Sequence, residues 1–135
     1  MLMQYLLVGV GGALGSVGRF WVSGLVAERI GERFPWGTII INITGSFLIG
    51  LLAGLMRPPS GRWLATANTR VFFTYGICGG YTTFSSFSLQ TLDLMREGEW
   101  LHAGANVVLS VVLCMVAVWL GYALALTLNK IMKGS

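Results

Sequence analysis

Phe84 and Phe87 stand three residues apart, on one face of a helical turn, with hydroxyls at Thr82, Thr83, Ser85, Ser86 and Ser88 packed around them. The stretch is introduced by Gly76-Ile77-Cys78-Gly79-Gly80-Tyr81. Hydroxyls donate hydrogen bonds, and aromatic ring edges carry partial positive charge from the ring quadrupole. Farther along, Asn106, Ser110 and Cys114 recur every four residues and give one helical face a polar or weakly polar seam. Thr83, Ser86 and Gln90 form a second polar series, while Asn42 and Arg19 interrupt apolar runs of their own. These groups mostly offer hydrogens, and no Asp or Glu falls in the middle of an apolar run. Cation paths commonly use carboxylates or converging carbonyls. The chemistry indicated is therefore transient binding of a small, strongly hydrated anion, whose lost water dense donors would replace. The residue types alone do not say which anion.

Other chemistries find little support. The single histidine, His102, follows Trp100 at an expected helix start, so no Ser/His/Asp set is available, and it reads as a headgroup-level residue. Cys78 and Cys114 fall in apolar segments without CxxC or Cys/His spacing and read as buried free thiols rather than metal ligands. The run Gly9-Val10-Gly11-Gly12-Ala13-Leu14-Gly15 fails the GxGxxG spacing, since Leu14 occupies the third glycine position, and tight helix packing explains it better. The net charge of +4 arises from nine basic residues scattered singly, with no basic stripe, so nucleic acid is not an expected partner.

The elements that must position these residues follow from composition. The chain has 135 residues, of which 55% are hydrophobic and 10% charged, with mean hydropathy +0.74. Soluble domains carry about 25% charged residues. Crossing a bilayer takes roughly 20 apolar residues, and four stretches qualify, 2–27, 36–56, 71–95 and 101–128. The expected fold is an all-α integral membrane protein, a single domain over residues 1–135 with four transmembrane helices. No basic region precedes the first apolar run, which reads as a mature helix rather than a signal peptide. Trp36, Trp63 and Trp100 mark span ends, and Pro58-Pro59-Ser60-Gly61 reads as a turn.

Lipid offers no partners for free backbone groups, so a span should be a regular helix unless its irregular part is buried or lines a cavity. The paired glycines and threonines of 76–88 predict that the third helix stops and restarts there. Small residues at packing spacing (Gly11 and Gly15, Gly50 and Gly54, Gly76 and Gly80) fit close helix contact, within one chain or between chains. Orientation is weakly specified. Arg57, Arg62, Arg70, Lys130 and Lys133 lie on one side; Arg29, Arg33 and Arg96, with Arg19 if it reaches, lie on the other. So small a Lys/Arg excess permits insertion both ways. It favours an antiparallel, dual-topology homodimer, with one fixed orientation as the alternative.

On these residues the chain resembles the Fluc/CrcB family of bacterial fluoride channels over essentially its full length. The likeness lies in the Gly-rich first helix with Arg19, in Pro35-Trp36-Gly37-Thr38 followed by Asn42, and above all in Gly79-Gly80-Tyr81-Thr82-Thr83-Phe84-Ser85-Ser86-Phe87-Ser88. The resemblance implies passive fluoride export across the bacterial inner membrane by an antiparallel homodimer with two pores. It implies that the ring edges of Phe84 and Phe87 face fluoride and that Asn42 serves the pore of the opposite subunit. Ser85, Ser86, Ser88 and Ser110 would line the pore, with Arg19 and Gln90 in the vestibules. It also implies a structural sodium ion at the dimer centre, held by the backbone carbonyls of Gly79 and Thr82. Three positions depart from the family pattern: Gln90 where many relatives have glutamate, Cys114 where serine is common, and Val118 where some have a hydroxyl.

Two other functions fit a short four-span chain. A proton-coupled small multidrug exporter needs a membrane carboxylate, and the first two spans contain none. A non-transporting structural subunit would use the glycine seams for assembly alone, leaving Asn42 and the hydroxyls of the third span without a purpose.

Overall fold

The computed structural model describes residues 1–56 and 64–134, so Arg57, Trp63 and the turn expected at Pro58-Pro59-Ser60-Gly61 lie outside the described residues. Among the described residues every regular element is helical. Helix α1 spans Leu2–Ile30 and α2 spans Trp36–Met56. Helix α3, residues 67–81, is a composite: an α-turn Ala67–Arg70, a π-helical stretch Val71–Cys78 and a final α-turn Gly79–Tyr81. Helix α4 spans Phe84–Arg96 and α5 spans Trp100–Lys133. Three of these, α1, α2 and α5, are long and apolar enough to cross a membrane.

The turns between helices follow local chemistry. Gly31 ends α1 at φ 93°, a backbone region that favours glycine, and its N–H donates to the Ala27 carbonyl. Pro35 stands immediately before α2, and its carbonyl accepts the Ile39 N–H. Gly98, at φ 78°, makes the tight corner between α4 and α5.

Glycine faces hold the helices together within the chain. Gly11 and Gly15 of α1 meet α3 backbone to backbone. A Cβ on Gly11 would lie 2.8 Å from the Phe72 carbonyl oxygen and 2.9 Å from Gly76 Cα, and one on Gly15 would lie 2.8 Å from Tyr81 N. Gly50 and Gly121 do the same between α2 and α5, against the carbonyls of Val118 and Phe47. Asn129 ties the far end of that seam by donating from Nδ2 to the Gly54 carbonyl at 2.9 Å. All three glycine pairs pack against helices of the same chain.

The chain leaves helical geometry at Thr82 (φ −79°, ψ 158°) and Thr83 (φ −151°, ψ 109°). Gly79 remains helical at φ −64°, ψ −36°. The interruption falls on the threonines, whose extended geometry suits β-branched residues. Gly76 and Gly80, just before it, serve close approach to α1: a Cβ on Gly80 would lie 2.9 Å from Gly12 Cα.

Candidate functional site

The interruption packs against α2. Asn42, nearly two turns into that helix, turns its carboxamide toward Thr83. Its Nδ2 donates to the Thr83 carbonyl at 3.0 Å, and its Oδ1 accepts the Thr83 N–H at 2.8 Å. The next turn of α2 carries Gly45, where a Cβ would collide with the Thr82 methyl and approach the Tyr81 ring to 3.2 Å. Between them Thr44 spends its one hydroxyl hydrogen on the Ile40 carbonyl at 2.8 Å. The Tyr81 hydroxyl, 2.8 Å from Thr44 Oγ1, is therefore the donor of that pair.

Thr83 also starts α4. Its Oγ1 accepts the Ser86 N–H at 3.1 Å, an N-cap, and donates to Ser86 Oγ at 3.0 Å. With that hydrogen used, the 3.2 Å contact of Thr83 Oγ1 with Ser85 runs from the serine hydroxyl to the threonine oxygen. Ser88 donates to the Phe84 carbonyl at 2.9 Å, within its own helix.

A cavity of about 380 Å³ opens beside the interruption. It brings together Asn42, Thr82, Phe84, Phe87, Ser110 and Cys114 from α2, the interruption, α4 and α5. The two phenylalanine rings stand 5.2 Å apart, centroid to centroid, and are tilted by 49°. Phe84 is 77% exposed, so the cavity mouth lies on the outer surface of the chain. Ser85, Ser86 and Ser88 do not line this cavity. Gln90 lies at another, of about 250 Å³, with Ser23, Glu32 and Thr38, and its Oε1 is buried there with no hydrogen-bond partner among the described residues. Arg19 lines neither cavity and is half-buried in α1.

Behind the cavity a polar chain crosses from α5 to α4. Ser110 donates to Asn106 Oδ1 at 3.4 Å, Asn106 to Thr91 Oγ1 at 2.9 Å, and Thr91 to the Phe87 carbonyl at 2.7 Å. The periodic seam in α5 is legible in sequence, but Thr91 is not part of either polar series around the phenylalanines. Its only signal is its position four residues after Phe87.

Backbone accounting at the interruption locates the acceptors without donors. The Cys78 carbonyl accepts from both Thr82 N–H (3.0 Å) and Thr82 Oγ1 (2.9 Å). Ser16 reaches the Gly80 carbonyl at 3.4 Å. Thr83 N–H, which in a continuous helix would serve the Gly79 carbonyl, goes to Asn42 instead. The Gly79 carbonyl thus loses the donor that a continuous helix would give it, and the non-helical Thr82 carbonyl receives no hydrogen bond among the described residues. Free carbonyl oxygens of this kind are ligands for a hard cation. No cluster of His, Cys, Asp and Glu suited to a metal occurs among the described residues.

Long apolar helices around a mostly apolar, acid-free cavity with a few hydrogen-bond donors define a multi-pass helical membrane protein. The chain belongs to the CrcB family: residues 6–122 match the family described as CrcB-like protein, Camphor Resistance (CrcB). It is similar to the fluoride-specific ion channel FluC of Opitutus terrae, with 60% identity over 97% of this chain and 98% of that protein. It is also similar to proteins of the same name from Rhodospirillum rubrum, 58% identical over 95% of this chain and 98% of that one, and from Methylocella silvestris, 54% identical over 98% and 100%.

Proposed function

We propose that this chain is a fluoride-specific ion channel of the bacterial inner membrane, letting cytoplasmic fluoride leave passively and so conferring resistance to it. The observation that carries the reading is the 60% identity, over nearly the whole chain, to a relative named for that activity. Chemistry agrees. Fluoride sheds part of a tightly held hydration shell only where donors replace it. The cavity offers the ring edges of Phe84 and Phe87. It also offers the second hydrogen of Asn42 Nδ2, since an amide nitrogen carries two and one is spent on Thr83. Ser110 is held only by a 3.4 Å bond, at the weak end of the range, so its hydroxyl can turn toward an anion at little cost. A negative cell interior drives one anion outward with about 2.3 kcal/mol per 100 mV. Nothing in this role asks for covalent chemistry, and the protein is not an enzyme.

Helices α3 and α4 together form a fourth span, interrupted at the membrane interior. Backbone carbonyls there cannot face lipid, and Gly79 and Ser85 are exposed on the single chain. A second copy, inserted antiparallel, covers them and closes the cavity mouth beside Phe84 into a pore, one for each subunit. The carbonyls of Gly79 and Thr82 suit a structural sodium ion shared at the interface. When bound, such an ion would supply positive charge to these carbonyl oxygens at the interruption. Arg19 and Gln90 serve the vestibules, Arg19 as a cation that attracts anions and Gln90 as an uncharged donor.

The test is direct. Purified protein is reconstituted into liposomes loaded with potassium fluoride, and release is followed with a fluoride electrode after valinomycin clamps the voltage. Rapid release, with chloride retained, is expected. Proteoliposomes that hold fluoride as tightly as protein-free vesicles sink the proposal.

A further inference from the structure

We infer that Asn42 is the positioning residue of the helix interruption: its carboxamide holds the backbone of Thr83 extended and thereby fixes the Gly79 and Thr82 carbonyls as a preformed cation site. The sodium half of this inference rests on the reading above, whereas the backbone half stands on hydrogen bonds alone.

A side-chain amide has the same donor and acceptor as a peptide unit. Asn42 uses both on one residue, at 3.0 and 2.8 Å, as a strand neighbour would. Thr83 has the dihedrals of a strand residue and is only 6% exposed, so its N–H and C=O have no water to turn to. Without Asn42, a return to helical geometry would give the Thr83 N–H the carbonyl of Gly79. The clamp therefore does two things at once. It satisfies a buried peptide unit, and it leaves an acceptor at Gly79 that hydrogen bonding would otherwise consume. The same face of α2 contributes a second fitted feature, since Gly45 leaves the space that Thr82 and Tyr81 occupy. Helix α2 thus shapes the interruption with an amide and a gap three residues apart. A residue that only lined the cavity would not need its Oδ1 turned to the backbone.

The inference separates Asn42 from other cavity residues by two readouts that flux alone does not give. The first is backbone hydrogen–deuterium exchange of residues 79–84 in the purified protein. The second is the sodium concentration that half-maximally protects the protein against thermal unfolding, with N-methylglucamine as the replacement cation. In Asn42→Ala we expect both the exchange rate of this segment and the sodium requirement to rise about tenfold, the scale of two hydrogen bonds of ordinary net strength. Ser110→Ala, which touches the cavity but not Thr83, should change neither. Asn42→Asp keeps the acceptor for the Thr83 N–H, so Thr83 exchange should stay near the native rate; this variant also decides the matter if the alanine protein does not assemble. Unchanged exchange in Asn42→Ala, or a tenfold rise at Thr83 in Asn42→Asp, overturns the clamp. Faster exchange with an unaltered sodium requirement overturns its link to the cation site. A native protein indifferent to sodium defeats the sodium reading itself, while exchange still decides the clamp.

Discussion

Phe84 and Phe87 differ in exposure although they flank the same cavity, Phe84 being 77% exposed and Phe87 half-buried. Their proposed work depends on ring edges, which an aliphatic side chain of similar bulk lacks. Phe84→Ile and Phe87→Ile are each expected to slow fluoride release at least tenfold, equivalent to about 1.4 kcal/mol, while the purified proteins keep the native oligomeric state on size exclusion. Native flux through both variants removes the rings from the mechanism. Phe87 has further support that Phe84 lacks. Its carbonyl ends the chain from Ser110 through Asn106 and Thr91, which fixes α4 against α5 behind the ring. Cys114 lines the same cavity, and a thiol there is a weaker donor than a hydroxyl.

At the scale of elements, the closest contacts of α1 with α3 and of α2 with α5 are backbone contacts, made possible by glycine. Membrane helices gain little from burying apolar surface and depend on close packing. Gly15 and Gly24 both lie on α1, but only Gly15 faces α3; nothing lies within 4 Å of a Cβ on Gly24. Gly15→Ala forces α1 and α3 apart and is expected to cost about 1–3 kcal/mol. Gly24→Ala should be neutral or stabilising by up to about 1 kcal/mol, the helix propensity difference. Thermal unfolding in detergent distinguishes the two; equal midpoints would mean that α1 does not pack as described. The glycine pairs were visible in sequence. Their partners were not, because spacing along a helix identifies a face and says nothing about what meets it.

At the scale of the whole molecule, the weak Lys/Arg bias permits the second, antiparallel chain proposed above, and the exposed backbone near Gly79 is the surface it would cover. Single cysteines placed at Glu28 and, separately, at Lys133, in a protein whose Cys78 and Cys114 are replaced by serine or alanine, test this. Each position should react with an impermeant maleimide from both sides of the membrane in about equal amounts, since neither orientation is favoured by a large charge excess. Labelling of each from one side only would establish a fixed orientation and remove the antiparallel dimer.

Sequence by itself marked Asn42, Phe84, Phe87 and Ser110, which the fold brings to one cavity, but not the absence of Ser85, Ser86 and Ser88 from it, and it located the three long apolar helices. Both signals are local: hydropathy over about 20 residues decides what can enter lipid, and side-chain type decides what can donate. It also marked 76–88 as irregular, because glycine pairs and threonine pairs disfavour an unbroken helix whatever surrounds them. Only tertiary structure decided that the interruption falls at Thr82 and Thr83 rather than at the glycines, and that Asn42 of α2, 41 residues away along the chain, bonds both backbone groups of Thr83. The reason is physical. A buried peptide unit leaves its helix only when another group takes its hydrogen bonds, and that partner comes from a helix which no local pattern connects to it.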